Sequence, residues 1–265
     1  MRLFLAGLCI AASQASAEPV SGDFFGSLPP AEIIFLGEIH DNPEHHENQA
    51  RAIVAMAPLA LVFEMLTREQ AERIPDELPS KEALQALLDW DDSGWPDFSL
   101  YFPLFNAAPH ARFYGAELPR ETARAAMGRD VADVFGQDYQ KFGLHQPLTA
   151  QQQAAREALQ AEAHCHALPE HLLPAMVAVQ RLRDALLAQT ALQAYQETGG
   201  PVIVITGSGH ARTDWGAPFK LSQAAPDLQI ISVGQFESAP DGAPPFDYWI
   251  VTDPAARPDP CALFE

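Results

Sequence analysis

The sequence predicts an α/β protein with a mostly parallel central sheet flanked by helices and with an inserted helical subdomain. Three observations support this prediction. Short β-rich runs recur along the chain, and most of them lie between helical patterns. The apolar character of these runs fits strands that are covered on both faces. Between about residues 149 and 198 the β-rich runs stop, and the sequence becomes rich in Gln, Ala and Leu.

Six segments are predicted to be strands because they are short, apolar and rich in β-branched and aromatic residues. They are Ile33–Leu36, Leu61–Phe63, Arg112–Tyr114, Val202–Ile205, Gln229–Val233 and Tyr248–Val251. A helix is expected after the first strand and runs to about Met56. Its start is marked by Asn42 as a capping residue, Pro43 in the first turn and the early acid Glu44.

The predicted helical insertion, about 149–198, consists of two helices. Thr149 can cap the first, and a proline-containing break from Pro169 to Pro174 separates it from the second. The second helix is expected from about Ala175 to Glu197, before two glycines. The segment Asp89–Pro103 is predicted to be a long loop dense in aromatic residues.

Composition excludes some classes of function. The 265 residues include 35 acidic and 16 basic side chains, so a nucleic-acid binder, which needs a basic face, is not expected. Attraction to an anionic membrane surface is disfavoured for the same reason. Residues 18–265 are predicted to form a single domain, which is long enough to bury a substantial core.

The first 17 residues have the pattern of a cleaved signal peptide. One positive charge precedes a short apolar stretch, and cleavage is expected after Ala17. A lipoprotein signal is the competing interpretation because Cys9 lies in the apolar stretch. Leu8 stands where a lipid-attachment site prefers a small residue, so lipidation is the less favoured alternative. We therefore expect a periplasmic or secreted protein rather than an outer-membrane lipoprotein.

Two cysteines remain after this cleavage, Cys165 and Cys261. In an exported protein an even pair favours a disulfide, which here would tie the C-terminal tail to a helical region. Two free thiols are the alternative. A metal site built on His164-Cys165-His166 ranks lower, because neighbouring side chains on a helix point in different directions.

Polar side chains follow three of the predicted strands. Glu38 and His40 follow the first, Glu64 follows the second, and a glycine-rich turn presents His210 after the fourth. Since ligands bind beyond the carboxyl ends of parallel strands, these four side chains are expected to converge. Two carboxylates and two imidazoles are suitable ligands for Zn, Mn or Fe in the divalent state. Taken singly, each residue has a structural explanation as a hydrogen-bonded group.

Other polar residues nearby are expected to have smaller roles. His45 and His46 lie in the first turn of the predicted helix, and a solvated position is favoured over a contact that supports the four strand-end residues. Ser208 is not predicted to be a nucleophile, because its sequence GSG lacks the G-x-S-x-G pattern.

Several motifs resemble the ChaN-like haem-binding proteins. These motifs are GEIHDNPEHH, VFEML, and TGSGHAR followed by DWGAP. The resemblance is clearest from about Ala31 to Leu221 and places the chain in a superfamily that includes the Tiki proteases and the erythromycin esterases. It implies an exported haem-binding protein that takes part in haem or iron uptake beside an outer-membrane haem receptor. The apparent lack of a lipid-attachment site departs from lipidated members.

The resemblance also implies a dimer that encloses haem, with iron held by a tyrosine. Tyrosine phenolate is a known axial ligand of ferric haem. Tyr101 is the predicted ligand, with Tyr114 and Tyr139 as rivals. The residues predicted to stack on the macrocycle are Trp95, Phe98 and Phe102.

The superfamily resemblance supports an alternative function as a metal-dependent hydrolase of a peptide or ester. Glu38, His40, Glu64 and His210 would then activate a water molecule. Arg212 would stabilise the developing oxyanion. Arg183 and Asp184, which precede this region on the second long helix, are expected to form a structural ion pair.

Overall fold

A sheet of seven parallel strands occupies the centre of the computed structural model, which describes residues 17–259 and 261–262. In chain order the strands are β1 (Glu18–Pro19), β2 (Ile33–Glu38), β3 (Ala60–Phe63), β4 (Arg112–Gly115), β5 (Val202–Gly207), β6 (Ile230–Phe236) and β7 (Tyr248–Val251). Their spatial order is β1-β7-β6-β2-β5-β3-β4. All six predicted strands are confirmed, and the short β1 is an addition that pairs with β7.

Nine α-helices accompany the sheet in the described part of the chain. They are α1 (Pro43–Met56), α2 (Arg68–Glu72), α3 (Lys81–Leu87), α4 (Phe98–Ala107), α5 (Arg120–Ala126), α6 (Val131–Phe135), α7 (Ala150–Ala163), α8 (Leu173–Thr198) and α9 (Ala217–Ala224). The α/β class is therefore confirmed. Helix α1 begins where the sequence predicts, since the side chain of Asn42 accepts hydrogen bonds from the first free backbone N–H groups.

The apolar side chains of the strands alternate between two buried layers. Ile34 and Leu36 face one layer together with α1 and α4, whereas Ile33 and Phe35 face the other together with α8 and α9. Both faces of the sheet are thus covered, which explains why the strand sequences are apolar throughout. Among the described residues, no helix is long and apolar enough to cross a membrane.

The prediction of a loop over Asp89–Pro103 is wrong in part, because helix α4 begins inside this segment. Asp97 caps this helix by accepting a hydrogen bond from the backbone N–H of Ser99. Phe98, Tyr101 and Phe105 then recur at helical spacing and are buried against the core. The aromatic density that suggested a loop around a ligand is instead the buried face of a helix.

The two helices predicted between about residues 149 and 198 are α7 and α8. Helix α8 packs against β3 and β5, so it also covers one face of the sheet. Cys165, just after α7, forms a disulfide with Cys261 near the C-terminus. The segment predicted to be a signal peptide, residues 1–17, lies outside the described residues apart from Ala17.

Candidate functional site

The four predicted strand-end residues come together around Gly207. Glu38 at the end of β2 lies opposite Gly207 at the end of β5 in the parallel register. A methyl group added at Gly207 would lie 2.9 Å from Nε2 of His40 and 3.8 Å from Oε2 of Glu64. Nε2 of His210 lies 3.4 Å from Oε1 of Glu64. The sheet therefore converts four separate sequence positions into one polar cluster, as the strand order requires.

Glu38 and His40 form the first pair of this cluster. Nδ1 of His40 lies 2.8 Å from Oε1 of Glu38, and the hydroxyl of Tyr101 donates to the same oxygen at 2.8 Å. Glu38 is buried, while the side chain of His40 is 32% exposed. Burial opposes protonation of His40, but the hydrogen bond and charge of Glu38 raise its pKa to about 9. Among the described residues, Nε2 of His40 has no hydrogen-bond partner, so it is the free end of this pair.

His45 and His46 support this pair from inside the protein. Both are buried, so the expectation of a solvated first turn is wrong. Nε2 of His46 lies 2.9 Å from the carbonyl oxygen of His40, and its Nδ1 is 3.6 Å from Oε2 of Glu38. Burial alone would raise the pKa of Glu38, but the nearby imidazoles of His46 and His40 lower it. Glu38 is therefore held as a carboxylate.

Glu64, His210 and Asp184 form the second part of the cluster. Oε2 of Glu64 accepts hydrogen bonds from the hydroxyl of Thr206 at 2.6 Å and from the backbone N–H of Gly207 at 2.8 Å. Burial opposes ionisation of Glu64, but His210, His40 and these hydrogen bonds lower its pKa to about 2. On the other side of His210, Nδ1 lies 2.7 Å from Oδ1 of Asp184. Burial opposes protonation of His210, but the two carboxylates raise its pKa.

The contact between Asp184 and His210 overturns the expected ion pair between Arg183 and Asp184. Asp184 is fully buried on the inner face of α8, whereas Arg183 is exposed on the outer face. Adjacent residues on a helix cannot face the same direction. Sequence reasoning missed Asp184 as a site residue, although an aspartate within an otherwise apolar helix face was a usable signal.

The predicted metal site is not present as a ligand set. Among residues 17–259 and 261–262, no group of three or more His, Cys, Asp or Glu side chains is arranged to hold a metal ion. The four predicted ligands are instead engaged with protein groups. Glu38 accepts from Tyr101 and His40, Glu64 accepts from Thr206 and Gly207, and His210 lies between two carboxylates. These contacts engage Oε1 of Glu38, Oε2 of Glu64 and both nitrogens of His210, and they leave Nε2 of His40 free.

The predicted haem-binding aromatic residues occupy different environments. Phe98 is 1% exposed and packs against Trp90 and Phe105, so its ring has no free face for a macrocycle. Phe102 is half-buried and packs against Phe98. Trp95 is also half-buried, with its ring centroid 4.9 Å from that of His40. Of the predicted stacking residues, Trp95 is the one in contact with the strand-end cluster.

Tyr101 lies beneath the cluster rather than at its surface. The residue is fully buried, and burial together with the adjacent charge of Glu38 raises the pKa of its phenol. An iron ligand must be a phenolate, which is disfavoured at this position. In this conformation Tyr101 acts as a hydrogen-bond donor that orients Glu38.

A cleft of about 390 Å³ opens above the cluster, between α7, α8 and the turn after β5. His40 and His210 lie at its floor. Its walls are largely apolar and are contributed by Leu159, Ala163, Val177 and Trp215. Ser208, from the turn after β5, also lines the cleft, but its hydroxyl is hydrogen-bonded to the backbone of Gln235, which leaves it in a structural role.

Two arginines in the cleft are stacked on the same tryptophan. The guanidinium of Arg212 lies 3.9 Å from the ring centroid of Trp215, and that of Arg156 lies 5.1 Å from it. Arg212 is paired with Asp214 through two hydrogen bonds, so the predicted oxyanion contact is not its present role. Sequence reasoning missed Arg156 because the sequence of α7 is amphipathic and rich in polar residues.

Comparison with known families gives a match over residues 24–221 to the model described as haem-binding uptake, Tiki superfamily, ChaN. A search of curated proteins gives no significant match.

Among solved structures, ChaN of Campylobacter jejuni, described with cofacial haem binding, is 19% identical, with a TM-score of 0.65. The match covers 84% of this chain and 89% of that one. The type III effector HopBA1 is 14% identical over 84% of this chain and 88% of its own, with a TM-score of 0.44. A protein from Bacillus cereus is 13% identical over 83% and 72% of the two chains, with a TM-score of 0.38.

Proposed function

The chain belongs to the haem-binding uptake family of the Tiki superfamily, the ChaN type, and on that premise we propose that it binds haem as cargo during haem or iron uptake. The observation that carries the proposal is the cleft above the strand ends. Its apolar walls suit a planar macrocycle, and an imidazole nitrogen without a partner opens into it from His40.

His40 is the side chain in the cleft best placed to hold iron. Its Nδ1 is bound to Glu38, which leaves Nε2 as the coordinating atom once that nitrogen loses its proton. A metal-binding histidine usually has a carboxylate or carbonyl behind its second nitrogen, and Glu38 fills that role here. Tyr101, the ligand predicted from the sequence, remains the competing assignment. It does not line the cleft, and its hydroxyl is directed at Glu38.

A haemin titration tests the function and the ligand together. The wild-type protein should take up haemin with a Soret band, and His40→Ala should shift that band and weaken binding. His110→Ala, which removes an exposed histidine, is the matched control. Phenolate-to-iron charge-transfer bands that vanish in Tyr101→Phe would assign the iron to Tyr101 instead. A wild-type protein that takes up no haemin would refute the proposed function.

The uptake role requires export, which the sequence predicts through the signal peptide. The disulfide between Cys165 and Cys261 supports an oxidising compartment, because such bonds are rare in reducing ones. Mass spectrometry of protein from its native host should find an N-terminus at Glu18. A chain that begins at Met1 would contradict export with cleavage after Ala17.

A homodimer and an outer-membrane haem receptor are the proposed partners. Leu159, on the rim of the cleft, is 38% exposed and would be covered if a second copy closed over bound haem. Light scattering with and without haemin should show whether mass doubles on binding. Co-purification with a haem receptor from outer membranes would test the second partner.

Metal-dependent hydrolysis remains the alternative function, but no contact in the cluster favours it over haem binding. Three of the four residues it requires, Glu38, Glu64 and His210, are engaged in hydrogen bonds and ion pairs with protein groups. Metal analysis of protein purified without haem, compared with Glu38→Gln, is the direct test. Stoichiometric Zn, Mn or Fe in the wild type and none in the variant would support metal-dependent hydrolysis.

A further inference from the structure

Arg156 is a buried cation whose charge is not neutralised by a hydrogen-bonded partner. The residue lies on α7, is 8% exposed and lines the cleft. Its Nε is buried without a hydrogen-bond partner, whereas its two Nη atoms make no hydrogen bond or ion pair with the described residues and are open to the cleft. Guanidinium groups stay charged in proteins, and burying a charge without a partner is costly. An unpartnered guanidinium that lines a cleft would be stabilised by an anion that enters the cleft from outside the chain.

The surroundings of Arg156 make this position unusual for the protein. The chain carries a formal net charge of −19, yet Arg156 and Arg212 lie against the same ring of Trp215. Arg212 is neutralised by Asp214, which leaves Arg156 as the free cation of the pair. The negative charge of Asp184 favours the charged form of Arg156, but the carboxylate of Asp184 is already paired with His210. A guanidinium stacked on an aromatic ring keeps its edge free to bind a carboxylate with two parallel hydrogen bonds.

We propose that Arg156 is the anchor for a carboxylate of the ligand that enters this cleft, with Trp215 holding the guanidinium in place. This inference rests on the proposed haem binding, in which the carboxylate is a propionate of haem. Haem has a flat apolar body and two carboxylates, and the cleft offers apolar walls with one unneutralised cation at its side. Arg156 then sets specificity for carboxylated porphyrins, whereas His40 contacts the iron.

The test uses porphyrins with and without free carboxylates. Haemin, protoporphyrin IX and their dimethyl esters are titrated into the full-length exported protein, followed by absorbance and tryptophan fluorescence. Wild-type protein should bind each free acid about tenfold or more tightly than its ester. Arg156→Met should remove that preference by weakening the free acids alone, and Arg156→Lys should restore part of it. Arg129→Met removes an exposed charge outside the cleft and should change nothing.

The stability of the ligand-free protein separates a binding role from a structural one. If the role of Arg156 is to bind a ligand, Arg156→Met removes a charge that has no partner in the ligand-free protein. The Tm of the ligand-free variant should then equal or exceed that of the wild type. A clear fall in Tm would mean that Arg156 stabilises the fold, and would overturn the proposal. Equal binding of acids and esters by the wild type would overturn it as well, while leaving haem binding intact. If neither haemin nor protoporphyrin IX binds, both the anchor and the proposed function fail.

Discussion

His45 is expected to make the protein less stable in mildly acidic solution. The residue is buried beneath the turn that carries His40. Its Nδ1 accepts the backbone N–H of Ile39 at 2.8 Å, and its Nε2 lies 2.9 Å from the hydroxyl of Thr252. Since Nδ1 is an acceptor, the neutral ring carries its proton on Nε2. A second proton would have to sit on Nδ1, directly against the N–H of Ile39.

The size of the effect follows from the pKa. Burial lowers the pKa of His45 from 6.5 to about 4, against the opposing charges of Glu38 and Glu237. Above pH 6.5 the neutral ring is present in both the folded and the unfolded chain, and its stabilising contribution is complete. As pH falls from 6.5 towards 4, the unfolded chain binds the proton first, so stability is lost. Each pH unit is worth about 1.4 kcal/mol, which gives up to about 3 kcal/mol in total and about 2 kcal/mol by pH 5.

Urea unfolding at a series of pH values, with the disulfide intact, measures this loss. His45→Asn keeps an acceptor near Ile39 but cannot titrate. It should therefore be less stable than the wild type at neutral pH, by about 1 kcal/mol for the lost Thr252 contact, with a flatter dependence on pH. His110→Asn changes an exposed histidine and should keep the wild-type slope. If His45→Asn shows the same acid loss as the wild type, the assignment to His45 is wrong.

Three further changes test other parts of the structure. Gly207→Ala should weaken haemin binding and shift its spectrum, because the added methyl group would lie 2.9 Å from Nε2 of His40 and displace that ring. Gly128→Ala, which adds a methyl group with no neighbour within 4 Å and lies outside the cleft, should bind normally. Cys165→Ser should lower the free energy of unfolding by about 2–4 kcal/mol, and reduction of the wild type should reproduce that loss. Asn42→Ala should cost about 1–2 kcal/mol in urea unfolding by removing the cap of α1, whereas equal stability would mean that water replaces the cap.

The strands were predictable because both faces of the sheet are covered. Each strand is a short apolar run, and the cap at Asn42 marks the start of α1. The segment around Tyr101 was predicted wrongly because aromatic density was given more weight than helical periodicity. Asp97 as a cap and the spacing from Phe98 to Phe105 were present in the sequence and indicated a buried helix face.

The candidate site was predictable only where strands end. Glu38, His40, Glu64 and His210 follow apolar runs, so the geometry of a parallel sheet alone brings them together. Asp184 and Arg156 lie on long helices, where rotation about the helix axis decides whether a side chain faces solvent or the site. That rotation is fixed by how α7 packs on α8 and α8 on the sheet, which a single sequence does not specify.

The two imidazoles of the cluster resemble each other in sequence context but differ in what they can still bind. His210 is 8% exposed in its side chain, and each of its nitrogens faces a carboxylate, Asp184 on one side and Glu64 on the other. His40 is 32% exposed, has one carboxylate behind it and one nitrogen open to the cleft. A water-activating site needs a free base and a free place for water beside it, whereas a ligand-binding site needs one free donor atom in an apolar cleft. The described residues offer the second arrangement, with His40 as the free donor and Arg156 as the free cation, and this is why haem binding is favoured over hydrolysis.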